Sequence, residues 1–376
     1  MKFKISITRL ALATTVVFSS SINAAVILEH SGRVLMGTEY HSNLNFADDD
    51  LKESVYLYRI TPEYVLRALD GKNTWFGSVG VNFWRASNDN IQANREDPFA
   101  TIGWDRILEN GLVGLTAAYT EQSSRNTQFG DTTALNQDGS STTRSIDANW
   151  EHAFSEKWTL LTDAGYEKNK FTGTSDLTDF ETKDVGAALR YKLSEKISPY
   201  GEIRTTEYKT SLATSGSDTI KYQDYLVGAV VELNPRFNFD VNAGVVDFDS
   251  SIDSEWVGEF VAEYTGGRYS LTGGLSRLVN PTGFNGLSLQ DSLYADYSYQ
   301  QSEKSRWGAG ISLTQNSFEL GSDLDTQQLR GFYDRDLSSA WLMRLELSAR
   351  NQKDATRDST DDTSLGIFFT YTSPKF

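Results

Sequence analysis

Outside its carboxylates and guanidinium groups, this chain offers few residues that could do chemistry. Of its 376 residues three are His (His30, His41, His152) and none is Cys. Without Cys there is no disulfide, no thiolate metal ligand and no lipid-modified cysteine anchor. Neither HExxH, a P-loop nor a Gly-rich nucleotide fingerprint occurs, so no cofactor or metal site is expected. A Ser–His–acid site is recognised by geometry; the spacing assembles none, and each His reads as structural. What recurs instead is charge at alternate positions. Asp163, Glu167, Arg190, Arg204, Asp224, Glu232, Glu259, Glu263, Asp296, Arg306, Arg330, Arg344 and Glu346 all stand on the polar side of an every-second-residue pattern. Charges set along a wet wall do no acid–base work, but they shape the field met by a passing ion or polar solute. These thirteen are the candidate pore-lining residues.

The elements that must position them are strands. A period of two is the signature of a strand with unlike faces. In the segment 158–166, Trp158, Leu160, Ala164 and Tyr166 share one face, and Asp163 and Gly165 the other, with Glu167 following. Trp307, Ala309, Ile311 and Leu313 oppose Arg306, Gly308, Gly310, Ser312 and Thr314. Trp341, Met343, Leu345 and Leu347 oppose Arg344, Glu346 and Ser348, and Leu365, Ile367, Phe369 and Tyr371 oppose Gly366, Phe368 and Thr370. Alternation alone also fits a soluble sandwich. Length separates the two: these segments run to about 11–15 residues, against ~5–6 for globular strands.

The connections alternate as well. Short turns fall near Asp70-Gly71-Lys72, Glu109-Asn110-Gly111, Ser155-Glu156-Lys157, Ser194-Glu195-Lys196, Asn234-Pro235-Arg236, Gly266-Gly267-Arg268, Ser302-Glu303-Lys304 and Ser338-Ser339, all built of hairpin residues. Longer polar stretches lie between them: 47–53, 87–95, 125–140, 172–180, 211–219, 281–287, 321–325 and 352–362, with one short exception around 250–253. Nine outer loops and eight inner turns predict about 18 strands between Val34 and Tyr371, with both ends on the periplasmic side. Trp75, Trp158, Phe237, Tyr269, Trp307 and Trp341 each follow a short turn on the apolar face, as an interfacial aromatic girdle would. Phe83, Tyr119, Tyr166 and Trp256 fall near the opposite ends. The expected fold is an all-β, transmembrane, antiparallel up-and-down barrel in the cell outer membrane, a single domain spanning 25–376.

Composition and the N-terminus agree. Residues 1–24 read as a secretory signal peptide: Lys2, Lys4 and Arg9, then an apolar run from Leu10 to Phe18, then Ile22-Asn23-Ala24 as the cleavage region. The run is too short to span a bilayer as a helix. Removing its three cations takes the formal charge from −16 to about −19. A mean hydropathy of −0.44 excludes a helical membrane bundle. The aromatic content, 18 Tyr, 20 Phe and 8 Trp, argues against disorder. The acidic balance argues against a nucleic-acid partner.

Two stretches carry resemblances. Phe376 closes a strand bearing Leu365, Ile367, Phe369 and Tyr371. This is similar to the C-terminal signal read by the barrel-assembly machinery, though Phe376 is out of phase with the apolar set and Pro374 interrupts it. The front end resembles the β-barrel porin 2 family through Glu39-Tyr40-His41-Ser42-Asn43-Leu44-Asn45-Phe46, Ile60-Thr61-Pro62 and Arg85-Ala86-Ser87-Asn88-Asp89-Asn90. That resemblance implies an outer-membrane pore with a role in exopolysaccharide export, working with periplasmic export components. It transfers no catalytic residues.

A barrel of ~18 strands is wide enough for an aqueous interior. Asp105, Asp147, Glu151 and Asp240 join the acidic positions of its wall, and Trp84, Tyr200, Tyr208, Tyr294, Phe332 and Phe368 have the parity of inward rings. Either the wall charges simply neutralise one another, or the acidic run Asp224–Glu263 gives a preference for cations and neutral sugars. The acidic loop residues Asp48-Asp49-Asp50 and Asp361-Asp362 are expected at the level of lipopolysaccharide phosphates. A general porin or structural barrel without a polymer role, or an outer-membrane hydrolase working at the outer loops, are the alternatives.

Overall fold

The computed structural model describes residues 26–48, 50–127, 139–174, 177–212, 216–249, 253–283, 286–318, 323–354 and 359–374. The expected signal peptide and Phe376 lie outside the described residues. The strands are β1 (Ile27–His41), β2 (Val55–Asp70), β3 (Asn73–Ala86), β4 (Arg95–Leu108), β5 (Gly111–Ser123), β6 (Ser140–Ala153), β7 (Trp158–Thr172), β8 (Phe180–Tyr191) and β9 (Ile197–Leu212). They continue with β10 (Gly216–Asn234), β11 (Phe237–Phe248), β12 (Glu255–Thr265), β13 (Tyr269–Pro281), β14 (Leu287–Ser302), β15 (Ser305–Phe318), β16 (Leu324–Asp336), β17 (Trp341–Asp354) and β18 (Thr360–Thr372). One helical turn, α1 (Ser124–Thr127), follows β5.

Each strand pairs antiparallel with the next, and β1 pairs with β18 from Arg33↔Thr372 to His41↔Ser364, closing an 18-stranded barrel. Closure leaves no edge strand, so backbone groups at membrane depth pair within the wall, with a gap in the β2–β3 ladder at Thr61 and Pro62. The alternating pattern selects the register, because a slip of one residue would turn every apolar side chain to the wrong face. The outward set carries Ile102, Val185, Val227, Leu293, Leu345 and Leu365; Val227 is 71% exposed and Leu365 59%. The opposite set carries the charges. An exposed apolar belt around a polar interior is the inverse of a soluble protein's arrangement and fits acyl chains outside.

Trp75, Trp158, Tyr269, Trp307 and Trp341 are exposed on that belt just after the short turns. They are braced across strands by Trp104, Tyr191, Tyr264, Tyr297 and Tyr371 at ring separations of 4.6–5.9 Å. At the other end Tyr40 and Tyr56 pack at 5.1 Å.

Several boundaries differ from expectation, the stretch 352–362 among them, whose two ends belong to β17 and β18 and pair at Gln352↔Thr360. β1 starts at Ile27 rather than Val34, because its first seven residues pair with Val65–Leu69 and neighbours of β2. The stretch 211–219, expected as a long outer loop, is mostly strand. β9 and β10 stay paired to Leu212↔Gly216, held by Tyr208 and Ile220, which face each other on the inner side of a buried apolar cluster.

Candidate functional site: the barrel interior

All thirteen charged candidates fall on the inward register. The pairings Asp163↔Gly186↔Arg204↔Asp224 run across β7–β10 as one continuous inner row. Glu263↔Thr272↔Asp296↔Gly310↔Arg330 does the same across β12–β16. Arg306↔Asp334↔Arg344 completes the pattern nearer the short-turn end.

Three groupings emerge. Arg204 donates from Nη1 to Asp163 at 2.6 Å and to Asp184 at 2.8 Å, and from Nη2 to Asp163 at 3.0 Å and Glu202 at 3.4 Å. Arg330 donates to Asp296 at 2.6 Å. Arg306 and Arg344 converge on Asp334, with Arg306 Nη2 at 2.7 Å, Arg344 Nε at 2.7 Å and Arg344 Nη2 at 2.9 Å. Bidentate guanidinium–carboxylate forks of this kind are stiff as well as attractive.

The other candidates are not drawn into these groups. Glu167 accepts a hydrogen bond from Asn169. Arg190 stands across from Tyr200 in the ladder, and Glu346 across from Phe332. Asp224 stands across from Arg204 in the ladder, while that guanidinium's hydrogen bonds go to Asp163, Asp184 and Glu202. Glu232 and Glu263 are exposed, and Glu259 is half-exposed, with its N–H donating to Asn242 at 3.1 Å. Among the described residues none of Glu232, Glu259 and Glu263 has a cationic partner. Asp240 accepts from the Tyr200 hydroxyl at 2.9 Å. The β10–β12 sector is therefore acidic with no inward cation among the described residues, the β7–β9 sector sets Arg190 and Arg204 against Asp163, Glu167, Asp184 and Glu202, and the β14–β17 sector balances its arginines with acids.

Parity missed several inward charges. Asp184, Glu202 and Asp334 were legible, since each stands an even number of residues from an inward candidate on its own strand: six from Arg190, two from Arg204 and four from Arg330. Glu39, Arg59 and Asp97 were not. In β2, Val55 and Leu57 face inward while Tyr56 and Tyr58 face outward, so both faces are apolar and alternation is silent.

Inward rings lie against glycine. Phe76 covers Gly103, Phe99 covers Gly80, Tyr200 covers Gly228, Tyr294 covers Gly274, Phe332 covers Gly308 and Phe368 covers Gly37; a side chain at any of these glycines would collide with the ring. The rings thus lie flat along the wall instead of projecting into the bore, a pairing that also compensates glycine's weak strand packing. Arg306 and Arg344 rest on the Phe332 ring at 5.4 and 4.9 Å.

The outer mouth is narrowed from two sides. The turn at Thr282 and Gly283, just after β13, folds inward: the Thr282 carbonyl accepts from the Tyr208 hydroxyl at 2.9 Å, and the Gly283 carbonyl accepts from the Thr178 N–H at 2.7 Å. It thereby spans from β13 towards β7, capping Phe171, Leu177, Phe180, Tyr208, Tyr222 and Leu287. On the other side Ile91 packs onto Val55 and Leu57, and Arg125 of α1 holds the Ile91 carbonyl.

The first loop is tied down by a buried acid. Asp362 accepts from His41 Nδ1 at 2.7 Å and from the Asn43 N–H at 2.9 Å, and it is 1% exposed. His41 Nε2 lies 3.4 Å from Glu39. With a carboxylate at each ring nitrogen, His41 has none left to take a proton from a serine. It acts as a clamp, not as the base of a hydrolase.

No family model matches the chain, and no curated protein matches it. The resemblance noted above is therefore carried by its own residues alone. Among solved structures, Acinetobacter baumannii OccAB4 is similar over 95% of this chain and 100% of its own, at 12% identity and a TM-score of 0.50. The siderophore receptor PirA from Pseudomonas aeruginosa covers 92% of this chain and 80% of its own, at 10% identity and 0.49. Pseudomonas aeruginosa OccK3 (OpdO) covers 92% and 95%, at 12% and 0.48. At such identities the likeness is one of fold. The apolar belt and the closed 18-strand wall, in a fold shared with OccAB4, make the chain a β-barrel of the Gram-negative outer membrane.

Proposed function

We propose that the barrel is a passive pore for polar solutes, its thirteen inward charged candidates lining a water-filled channel that favours cations and neutral molecules over anions. The observation that carries this is exposure on the inside: Asp147, Asn149, Glu232, Glu263, Arg306 and Arg330 are inward by register yet exposed. A barrel of this strand number leaves an aqueous bore unless something fills it. The unpaired acids on β10–β12 supply the sign of the preference. Purified protein in planar bilayers should show discrete open currents and a reversal potential displaced towards the cation in a salt gradient. Absence of current under every condition would remove the pore reading.

Extracellular polysaccharide is the favoured cargo within this reading. Its support is the set of flat inward rings, which offer apolar faces for sugar stacking, and the front-end resemblance; partners in the periplasm would then deliver the polymer. Oligosaccharides added to an open channel should cause resolved blockages whose length grows with chain length. A general porin would pass them without dwell.

A further inference from the structure

The outward face above the apolar belt is not evenly charged. On β6–β10, the outer strand ends present Arg144, Lys168, Lys170, Lys183, Lys209 and Lys221, outward by register with the exposed Ile146, Val185, Ile203 and Tyr225. Two carboxylates stand among them. Glu181 lies 3.3 Å from Lys168 and 3.9 Å from Lys183, and Glu207 lies 3.6 Å from Lys183 and 3.2 Å from Lys221. Six cations against two acids make a basic patch on a chain whose formal charge is −16. Glu121 and Asp247 bound it on β5 and β11. The same height on the far side sets Arg277 and Lys353 against Asp291 and Asp325, with Gln315, Gln327 and Asn351 among them, and is neutral.

Directly beneath the patch the wall is hollowed. Small outward residues, Ala187, Gly201 and Ala243, open a groove of about 540 Å³ between Leu189, Ile203 and Val227. Gly201 has nothing nearer than 3.9 Å where a side chain would stand. Ala187 is four residues along β8 from Lys183, roughly 13 Å at strand spacing. An apolar groove on the membrane face with a cationic rim at headgroup height matches one chemistry: a lipid whose acyl chain fills the groove and whose phosphate meets the ammonium groups.

We propose that this sector is a specific binding site for a phosphorylated glycolipid of the outer leaflet. Lys168, Lys183, Lys209 and Lys221 hold the phosphate, and the Ala187–Gly201 groove holds an acyl chain. Lysines already bridged by Glu181 and Glu207 are fixed in place, so less freedom is lost when phosphate arrives. The inference rests on membrane location alone and stands whether or not the channel conducts.

The test is native mass spectrometry of the whole barrel in detergent, titrated with bisphosphorylated lipid A, dephosphorylated lipid A and inorganic phosphate at matched ionic strength. The native protein should bind the bisphosphorylated lipid at least about tenfold more tightly than the dephosphorylated one. The quadruple variant K168Q/K183Q/K209Q/K221Q should lose that difference, and the corresponding four Lys→Arg changes should restore it. Gly201→Leu should weaken both lipids alike, Lys353→Gln on the far side should change nothing, and inorganic phosphate should not compete at lipid-saturating concentrations. Equal binding of the two lipids by native protein, or an undiminished difference in the Gln variant, would overturn the assignment. Heat-modifiable gel mobility shows that each variant is folded.

Discussion

Glu259 and Glu263 offer a sharp test of the electrostatic account. Both face the interior on β12 and have no cationic partner among the described residues, so changing them breaks no ion pair. A permeating ion about 7 Å from one carboxylate in a water-like medium feels about 0.6 kcal/mol. Screening at a Debye length of about 8–10 Å reduces that to about 0.3 kcal/mol. The double reversal E259K/E263K changes the local charge by four units, so a cation loses about 1 kcal/mol and an anion gains as much. Cation-to-anion permeability should therefore fall roughly tenfold or more, since 1.4 kcal/mol is one decade. The assay is the zero-current potential across a planar bilayer in a tenfold KCl gradient. E259Q/E263Q should fall midway. E232Q, which shares the inner row of Glu263 through Asn238 and removes a single charge, should move the potential less than either double variant. An unchanged potential in E259K/E263K, with channels still open, would refute the argument that this sector faces the conducting path.

Other outcomes follow from the packing. Asp362→Ala leaves the His41 and Asn43 donors buried without their acceptor, at about 1–3 kcal/mol each; trypsin should then cut at Lys52 faster in whole cells, with the rest of the barrel intact. Tyr208→Ala removes the hydroxyl that holds Thr282 and a ring of the mouth cluster. At a local cost of about 3 kcal/mol it should release the inward segment and raise single-channel conductance. Gly308→Val forces Phe332 off the wall, and with it the support under Arg306 and Arg344. It should lower the temperature at which the folded gel band disappears, for an overpacking cost of about 1–3 kcal/mol, while Ala309→Val on the outward side should leave that temperature nearly unchanged.

The wall was legible where its two faces differ in kind. From β7 to β18, apolar-out and polar-in follow so regularly that strand number, turn placement and the inner row Asp163, Arg204, Asp224 can be read from the chain. β2 was opaque because Tyr56 and Tyr58 outside oppose Val55 and Leu57 inside. The folded-in turn just after β13 was opaque for another reason. Its docking depends on Tyr208 and Thr178, which come from β9 and from the β7–β8 connection and share no local pattern with it. The Asp334 fork needed only parity, but its convergence with Arg306 and Arg344 needed the register of three strands. The lysine patch is likewise assembled from four neighbouring strands and invisible in any one of them.

Everything depends on which face meets water. The chain has no Cys, so single cysteines placed in reconstituted barrels report accessibility without background. Cysteine at Glu263, Asp296 or Arg330, inward by register, should react rapidly with a small charged, membrane-impermeant thiol reagent. Cysteine at Leu275, Leu293 or Leu329, outward by register and exposed on the belt, should resist it and react only with a lipid-soluble maleimide. The reverse pattern, or equal labelling of both sets, would contradict the assignment of lipid outside and water within.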